Sequence, residues 1–163
     1  MTEPDSNPEI VSDVIEIEDD WVDYNGHLNQ AYYGVIFDRS IDAALAPVGL
    51  GPDYIAQRNC SYMTVESHSC FVREVLRPDK VRVITRVLDV DDKRLHTYSE
   101  MRHADDGWLA ATVEYMFLHI DMTVRRIAPW PADLRANLDA LEARTTDMAW
   151  PERAGRRVGI KQK

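Results

Sequence analysis

From position 29 to position 45 the apolar residues Tyr33, Ile36, Phe37, Ile41, Ala44 and Leu45 recur at three- and four-residue steps. That period predicts one amphipathic helix, with Asn29 as its N-cap and Pro47 and Gly49 as its stop. Upstream, Ile10 to Trp21 carries Val11, Val14, Ile15 and Ile17 and predicts a strand ending in the acidic run Glu16–Asp20. Tyr24-Asn25-Gly26-His27 predicts a turn, because Asn and Gly tolerate positive φ. Pro52 to Arg58 predicts a short helix or turn. From Ser61 the period falls to two. Strands are predicted over Tyr62–Val72, Val81–Leu88, Arg94–Arg102 and Trp108–Asp121. Turns separate them at Arg77-Pro78-Asp79, at Asp89–Lys93 and at Ala104-Asp105-Asp106-Gly107, where Asp-Gly is the hairpin signal. A helix over Leu134–Arg144 and a polar tail complete the chain. The pattern predicts an α+β fold in which a strand, a long helix and a four-stranded antiparallel meander follow one another.

The chain has 163 residues, 45% of them hydrophobic and 29% charged, which suits one soluble domain with a real core. The expected limits are 10–145 for the domain, a disordered lead over 1–9 and a polar, partly basic tail over 146–163. A net charge of −9 argues against nucleic-acid binding. No stretch matches a signal peptide or a membrane span, and two cysteines make no disulfide framework, so a cytoplasmic location is expected. The five histidines are scattered without metal-ligand spacing, so no metal is expected. Gly49-Leu50-Gly51 starts a dinucleotide fingerprint, but no third glycine follows and Pro52 interrupts it.

Chemistry concentrates at Trp21–Tyr33. A carboxylate, Asp23, precedes a helix start, whose first amides have no internal partner and carry partial positive charge. A thioester carbonyl there would find its developing oxyanion stabilised, and Asp23 could activate water or attack the carbon itself. The plain alternative for Asp23 is a capping carboxylate. Gly26 permits a close backbone approach. His27 either orients Asp23 or the carbonyl, or satisfies loop backbone groups. Glu66 and His68 share one strand face and read as a structural polar pair or as part of a site. Trp21, Tyr24, Tyr32, Tyr33, Tyr62 and Trp108 are core or interface aromatics. Three of them in a box would attract a quaternary ammonium group by about 0.5–2 kcal/mol per good contact.

The string Asp23-x-Asn25-Gly26-His27-Leu28-Asn29-Gln30-x-x-Tyr33 resembles the active-site turn of hotdog-fold acyl-CoA thioesterases of the 4-hydroxybenzoyl-CoA thioesterase type. The resemblance implies an antiparallel sheet wrapped around the long helix, and a dimer or tetramer with each active site at a subunit interface. It implies Asp23 as nucleophile or general base, an oxyanion held by amides near Gln30, and Asn25, Gly26 and His27 as the rest of the catalytic turn. Glu66 and His68 would reach a neighbouring subunit's Asp23. Tyr24, Tyr33, Tyr62 and Trp108 would complete the substrate site.

Tyr62-Met63-Thr64-Val65-Glu66-Ser67-His68, Lys93-Arg94-Leu95-His96, Leu118-His119-Ile120-Asp121 and Ala154-Gly155-Arg156-Arg157-Val158-Gly159 resemble the thioesterase domains associated with carnitine breakdown. These hydrolyse betainyl-CoA to betaine and CoA, alone or fused to a dehydrogenase. The resemblance implies a CoA thioester substrate and no cofactor. Arg73, Arg77, Lys93, Arg94, Arg153, Arg156, Arg157, Lys161 and Lys163 are candidates for the CoA phosphates, against the plain reading of the tail as a solubilising end. A hotdog enoyl-CoA hydratase and a non-catalytic acyl-CoA binding module are the rival readings.

Overall fold

The computed structural model describes residues 7–160; the first six residues of the expected lead, and Lys161 and Lys163 of the tail, lie outside the described residues. Helix α1 spans Gln30–Leu45, and the Asn29 side chain caps it by accepting from the Ala31 N–H at 3.0 Å. Its buried face is Tyr33, Ile36, Phe37, Ser40, Ile41, Ala44 and Leu45, the stripe the periodicity predicts with one serine added. Fully burying side chains such as Ile36, Phe37 and Ile41 stabilises the fold by about 1.5–3 kcal/mol each. After α1 a single 3-10 turn at Ala46–Val48 ends on Gly49, at φ 99°, a left-handed geometry that favours glycine. Pro52 then opens α2, Pro52–Arg58.

One antiparallel sheet covers α1. It contains β1 (Ile10–Val11), β2 (Ile15–Glu16), β3 (Cys60–Phe71), β4 (Lys80–Val90), β5 (Arg94–His103), β6 (Leu109–Asp121) and β7 (Arg126–Ile127). The order is β1-β4-β5-β6-β3, with β2 also on β4 and β7 also on β6. The last helix, α3 (Ala132–Thr145), packs on β4, where the Thr145 hydroxyl donates to the Val87 carbonyl at 3.0 Å.

Two expectations are corrected. The strands after α1 do not form a four-stranded meander. Only β4-β5-β6 do, while β3 sits beyond β6. The connection Val72–Asp79 carries the chain across the end of the sheet, held there by fully buried Val75, whose carbonyl accepts from the Leu28 N–H at 2.8 Å. The expected strand Ile10–Trp21 is broken into β1 and β2 and then a 3-10 turn at Asp19–Trp21. Ser12 interrupts the ladder, because its hydroxyl accepts from the Val83 N–H and its own N–H donates to the Val83 carbonyl. The acidic residues beyond are drawn to cations on neighbouring segments, Glu16 to Lys80 and Asp19 to Arg77.

The core has two lobes. One joins Trp21, Leu28, Tyr33, Ile36 and Phe37 of the turn and helix to Val81, Val83, Met101 and Val113 of the sheet. The other joins the end of α1 to α2, α3 and Trp130. The first lobe anchors the turn that carries the candidate chemistry.

Candidate active site at the start of the central helix

Backbone pairing closes the Asp23–Leu28 turn. The Asp23 N–H donates to the His27 carbonyl (3.1 Å) and the Gly26 N–H to the Asp23 carbonyl (3.0 Å). Gly26 takes φ 83°, which a residue with a Cβ rarely adopts. The Asp23 carboxylate accepts the Asn25 N–H at 2.8 Å and keeps its other oxygen free of any protein donor among the described residues. Its side chain is 14% exposed and lies 3.8 Å from His27 Nδ1, too long for a direct hydrogen bond. The carboxylate therefore sits on the turn before the helix, largely withdrawn from water.

The first turn of α1 leaves one amide without a protein acceptor among the described residues. The Asn29 N–H donates to the Trp21 carbonyl, the Ala31 N–H to the Asn29 side chain and the Tyr32 N–H to the Asn29 carbonyl. Among the described residues only the Gln30 N–H of this first turn has no protein acceptor. Gln30 lines a cleft of about 300 Å³ together with His27, Tyr33, Phe71, Arg73 and Glu74. Buried Tyr33 meets Phe71 edge-to-face at 5.1 Å. Burial pushes the Tyr33 phenol up, opposed by a hydrogen bond to the Val75 backbone, so it stays neutral at ordinary pH. Arg73 lies over the Trp108 ring, 4.1 Å from its centroid, and Trp108 stacks on His103. That stack holds one guanidinium at the rim of a cleft in an otherwise acidic protein.

Of the expected residues, His27, Gln30, Tyr33 and Arg73 line the cleft, with Trp108 behind Arg73, while Asp23, Asn25 and Gly26 lie on the turn that carries His27, where the Asp23 carboxylate is 3.8 Å from the His27 ring. Tyr24 is on the same turn but is 97% exposed in the single chain. Other expected residues are not at this cleft. Tyr62 is at the opposite end of β3, its hydroxyl donating to Asp42 at 2.5 Å. Glu66 and His68 pair with Met116 and Glu114 on the sheet face turned away from α1. They line a separate cleft of about 340 Å³ with His96, Glu114, Arg156 and Arg157. The bulge between Thr64 and Glu66 resets which residues face the helix, so Glu66 and His68 stand away from the Asp23 of their own chain.

Arg156 and Arg157 of the tail lie on that outer face too. Trp150 packs near His96, and the Gly155 N–H donates to Glu114 at 2.7 Å, so the described tail returns over the sheet. Lys93 and Arg94 are in the β4–β5 turn beside Trp130, at the far lobe, and Arg94 is paired with Asp91. Arg77 is paired with Asp19. Of the expected phosphate-binding cations among the described residues, Arg73 is the one at the cleft. Phe71 and Glu74 escaped the sequence reading. Their only signal is the chain's departure from period two after Phe71, which gives no hint that the loop doubles back to the helix start.

A long helix on one face of a wrapped antiparallel sheet, with a carboxylate and an orphan amide at the helix start, defines the hotdog class of acyl-CoA thioesterases. The chain belongs to the thioesterase-like superfamily, whose family model matches residues 17–138. The betainyl-CoA thioesterase of Pseudomonas aeruginosa is 35% identical over 141 residues, covering 86% of this chain and 89% of that protein. A bifunctional L-carnitine dehydrogenase/betainyl-CoA thioesterase of Rhizobium meliloti is 33% identical over 87% of this chain, which spans 28% of that longer protein. A Staphylococcus aureus protein solved in complex with CoA shares the fold with a TM-score of 0.88 at 24% identity, over 94% of this chain and 96% of that one.

Proposed function

We propose that this protein is a homodimeric hydrolase of small acyl-CoA thioesters, with betainyl-CoA as its substrate. The observation that carries the chemistry is the orphan Gln30 amide at a cleft that also takes in His27, whose ring is 3.8 Å from the Asp23 carboxylate. The thioester carbon sits at the helix start with its oxygen on that amide. Asp23 takes a proton from water, and the hydroxide adds to the carbonyl carbon. Collapse of the tetrahedral intermediate breaks the C–S bond, and the proton goes to the departing thiolate of CoA. In the covalent variant, Asp23 itself attacks, CoA leaves, and water cleaves the mixed anhydride. Both routes consume one water and need no cofactor. Arg73, braced by Trp108, takes a CoA phosphate.

The second copy docks on β3. This strand is twelve residues long, forms one edge of the sheet and lacks lysine and proline, the residues that usually guard such an edge. Met63, Val65, Phe71 and Val72 are exposed along it and just beyond it. Antiparallel pairing of two copies about a two-fold axis satisfies both edges at once. The two free cysteines, Cys60 and Cys70, suit a reducing cytoplasm.

The substrate follows from the relatives: the one matched over nearly its full length is a betainyl-CoA thioesterase. Thiol release from a panel of acyl-CoAs tests the reading. Betainyl-CoA turnover is expected to exceed that of uncharged short acyl-CoAs. Water addition that leaves the thioester whole would make the protein a hydratase, and binding without turnover of any ester would make it a carrier.

A further inference from the structure

A second cleft of about 300 Å³ opens between α1, α2 and the start of β3, lined by Asp38, Ile41, Asp42, Tyr54, Tyr62 and Phe117. Its chemistry differs from that of the helix start. Tyr62 and Phe117 meet edge-to-face, 5.3 Å between centroids, and give it an aromatic wall. Two carboxylates stand on its rim, one helical turn apart on α1. Asp42 is hydrogen-bonded by Tyr62, and neither Asp38 nor Asp42 has a cationic partner among the described residues. The negative field here is felt by its neighbours. Burial first, then the charge of Asp38, pushes the Tyr115 phenol up to about 12. Aromatic faces with uncompensated carboxylates form the environment that holds a quaternary ammonium ion, which can accept no hydrogen bond and donate none.

Within one chain this cleft cannot serve the thioester at Gln30. Asp38 lies eight residues along the helix from Gln30, about 12 Å at 1.5 Å per residue. In a betainyl group two bonds, about 2.5 Å, separate the ammonium nitrogen from the carbonyl carbon. The β3 edge offers a solution. α1 runs alongside β3 in the opposite direction, with Tyr33 against Phe71 at one end and Asp42 against Tyr62 at the other. Antiparallel pairing about the middle of β3 sets the Tyr62 end of one copy beside the Phe71 end of the other. Gly34 lies on the exposed line of α1 between Gln30 and Asp38, and a Cβ there would meet nothing within 4 Å. Glycine inside a helix is unfavourable relative to alanine, so its presence on this line is consistent with a second copy coming close.

We propose that Asp38, Asp42 and Tyr62 are the residues that hold the ammonium group of the acyl chain, in a thioester on which Asp23 and the Gln30 amide of the other protomer act. The inference rests on the thioesterase reading above and adds the residues that select a cationic acyl group. The carboxylates attract the ammonium from across the two-fold, the Tyr62 ring takes its methyl groups, and neutral esters gain nothing from either carboxylate.

Two measurements test it. The first compares betainyl-CoA with its neutral isostere, 3,3-dimethylbutanoyl-CoA, in the wild type and in Asp38→Asn/Asp42→Asn. Asparagine keeps the acceptor for Tyr62. The ratio of kcat/KM values, betainyl over neutral, is expected to fall by about five- to thirty-fold, the loss falling on the betainyl ester. Equal losses on both esters, or an unaltered ratio, overturn the proposal. A wild type that hydrolyses both esters equally overturns it too while leaving the thioesterase reading in place; a wild type that hydrolyses neither overturns both. The second measurement locates the subsite in the partner. Chains carrying Asp23→Asn and chains carrying Asp38→Asn/Asp42→Asn are co-expressed with different tags, and the mixed dimer is purified. A composite pocket regains one intact site, about half the wild-type betainyl-CoA rate. A mixed dimer no faster than the mean of the two parent variants refutes the exchange of residues between protomers.

Discussion

Replacing Asp23 by asparagine separates chemistry from architecture. The carboxylate does two things: it accepts the Asn25 N–H at 2.8 Å, and it presents, on the turn before the helix, an oxygen with no protein donor among the described residues. Asparagine retains the first role through its carbonyl oxygen and abolishes the second. Converting a charge-assisted hydrogen bond into a neutral one costs about 0.5–1 kcal/mol of stability, against about 1–2 kcal/mol for Asp23→Ala, which loses the bond entirely. A domain stable by roughly 5–15 kcal/mol tolerates either change. The loss of a general base or nucleophile is far larger, on the order of 10²–10⁴ in kcat, or about 2.7–5.4 kcal/mol of transition-state stabilisation. Thiol release from betainyl-CoA measures the rate, and a urea midpoint on the same preparations measures the fold. The two variants are expected to be similarly inactive and to differ in stability. An asparagine variant that keeps more than about a tenth of the wild-type kcat refutes the role of Asp23. So does a rate that recovers once the unfolded fraction is taken into account.

Three further outcomes follow from the same structure. Val65, 54% exposed on the β3 edge, becomes aspartate in a variant that is expected to elute as a monomer in size-exclusion chromatography and to lose thioesterase activity; an active dimer would contradict pairing through β3. Burial holds the Tyr54, Tyr62 and Tyr115 phenols above their ordinary value, Tyr115 at about 12, so the folded state binds their protons more tightly than the unfolded one. Their contribution is therefore fully present below about pH 10 and is lost as pH rises toward 12; urea midpoints that hold steady across that window would be inconsistent with it. Gly49→Ala places a Cβ 3.0 Å from Leu134 Cδ2 at φ 99° and is expected to cost about 1–2 kcal/mol by urea denaturation, whereas Gly159→Ala, in open space, is expected to stay within about 0.5 kcal/mol.

The sequence by itself determined the local elements and the turn. The three- and four-residue spacing from Tyr33 to Leu45 is a property of one helix, and Asn29 caps it from the adjacent position. Asp23, Asn25, Gly26 and His27 lie within five residues of one another, so a single turn assembles them without help from distant chain. The tertiary structure decided everything that depends on which strand lies beside which. Alternation in β3 shows two faces but does not say which of them meets α1, and the bulge at Val65 reassigns the faces midway, which sends Glu66 and His68 to the outer face. Nor does alternation reveal that β3 lies beyond β6, because strand order is set by long-range pairing on either side of the Val72–Asp79 crossing, which only Val75 anchors in the core. Arg73 became the cation of the cleft because Trp108, thirty-five positions away in the chain, supplies the ring beneath it. Contacts between residues close in sequence are encoded in local spacing; contacts closed by the sheet depend on the free energy of the whole packed core, and no local pattern carries that sum.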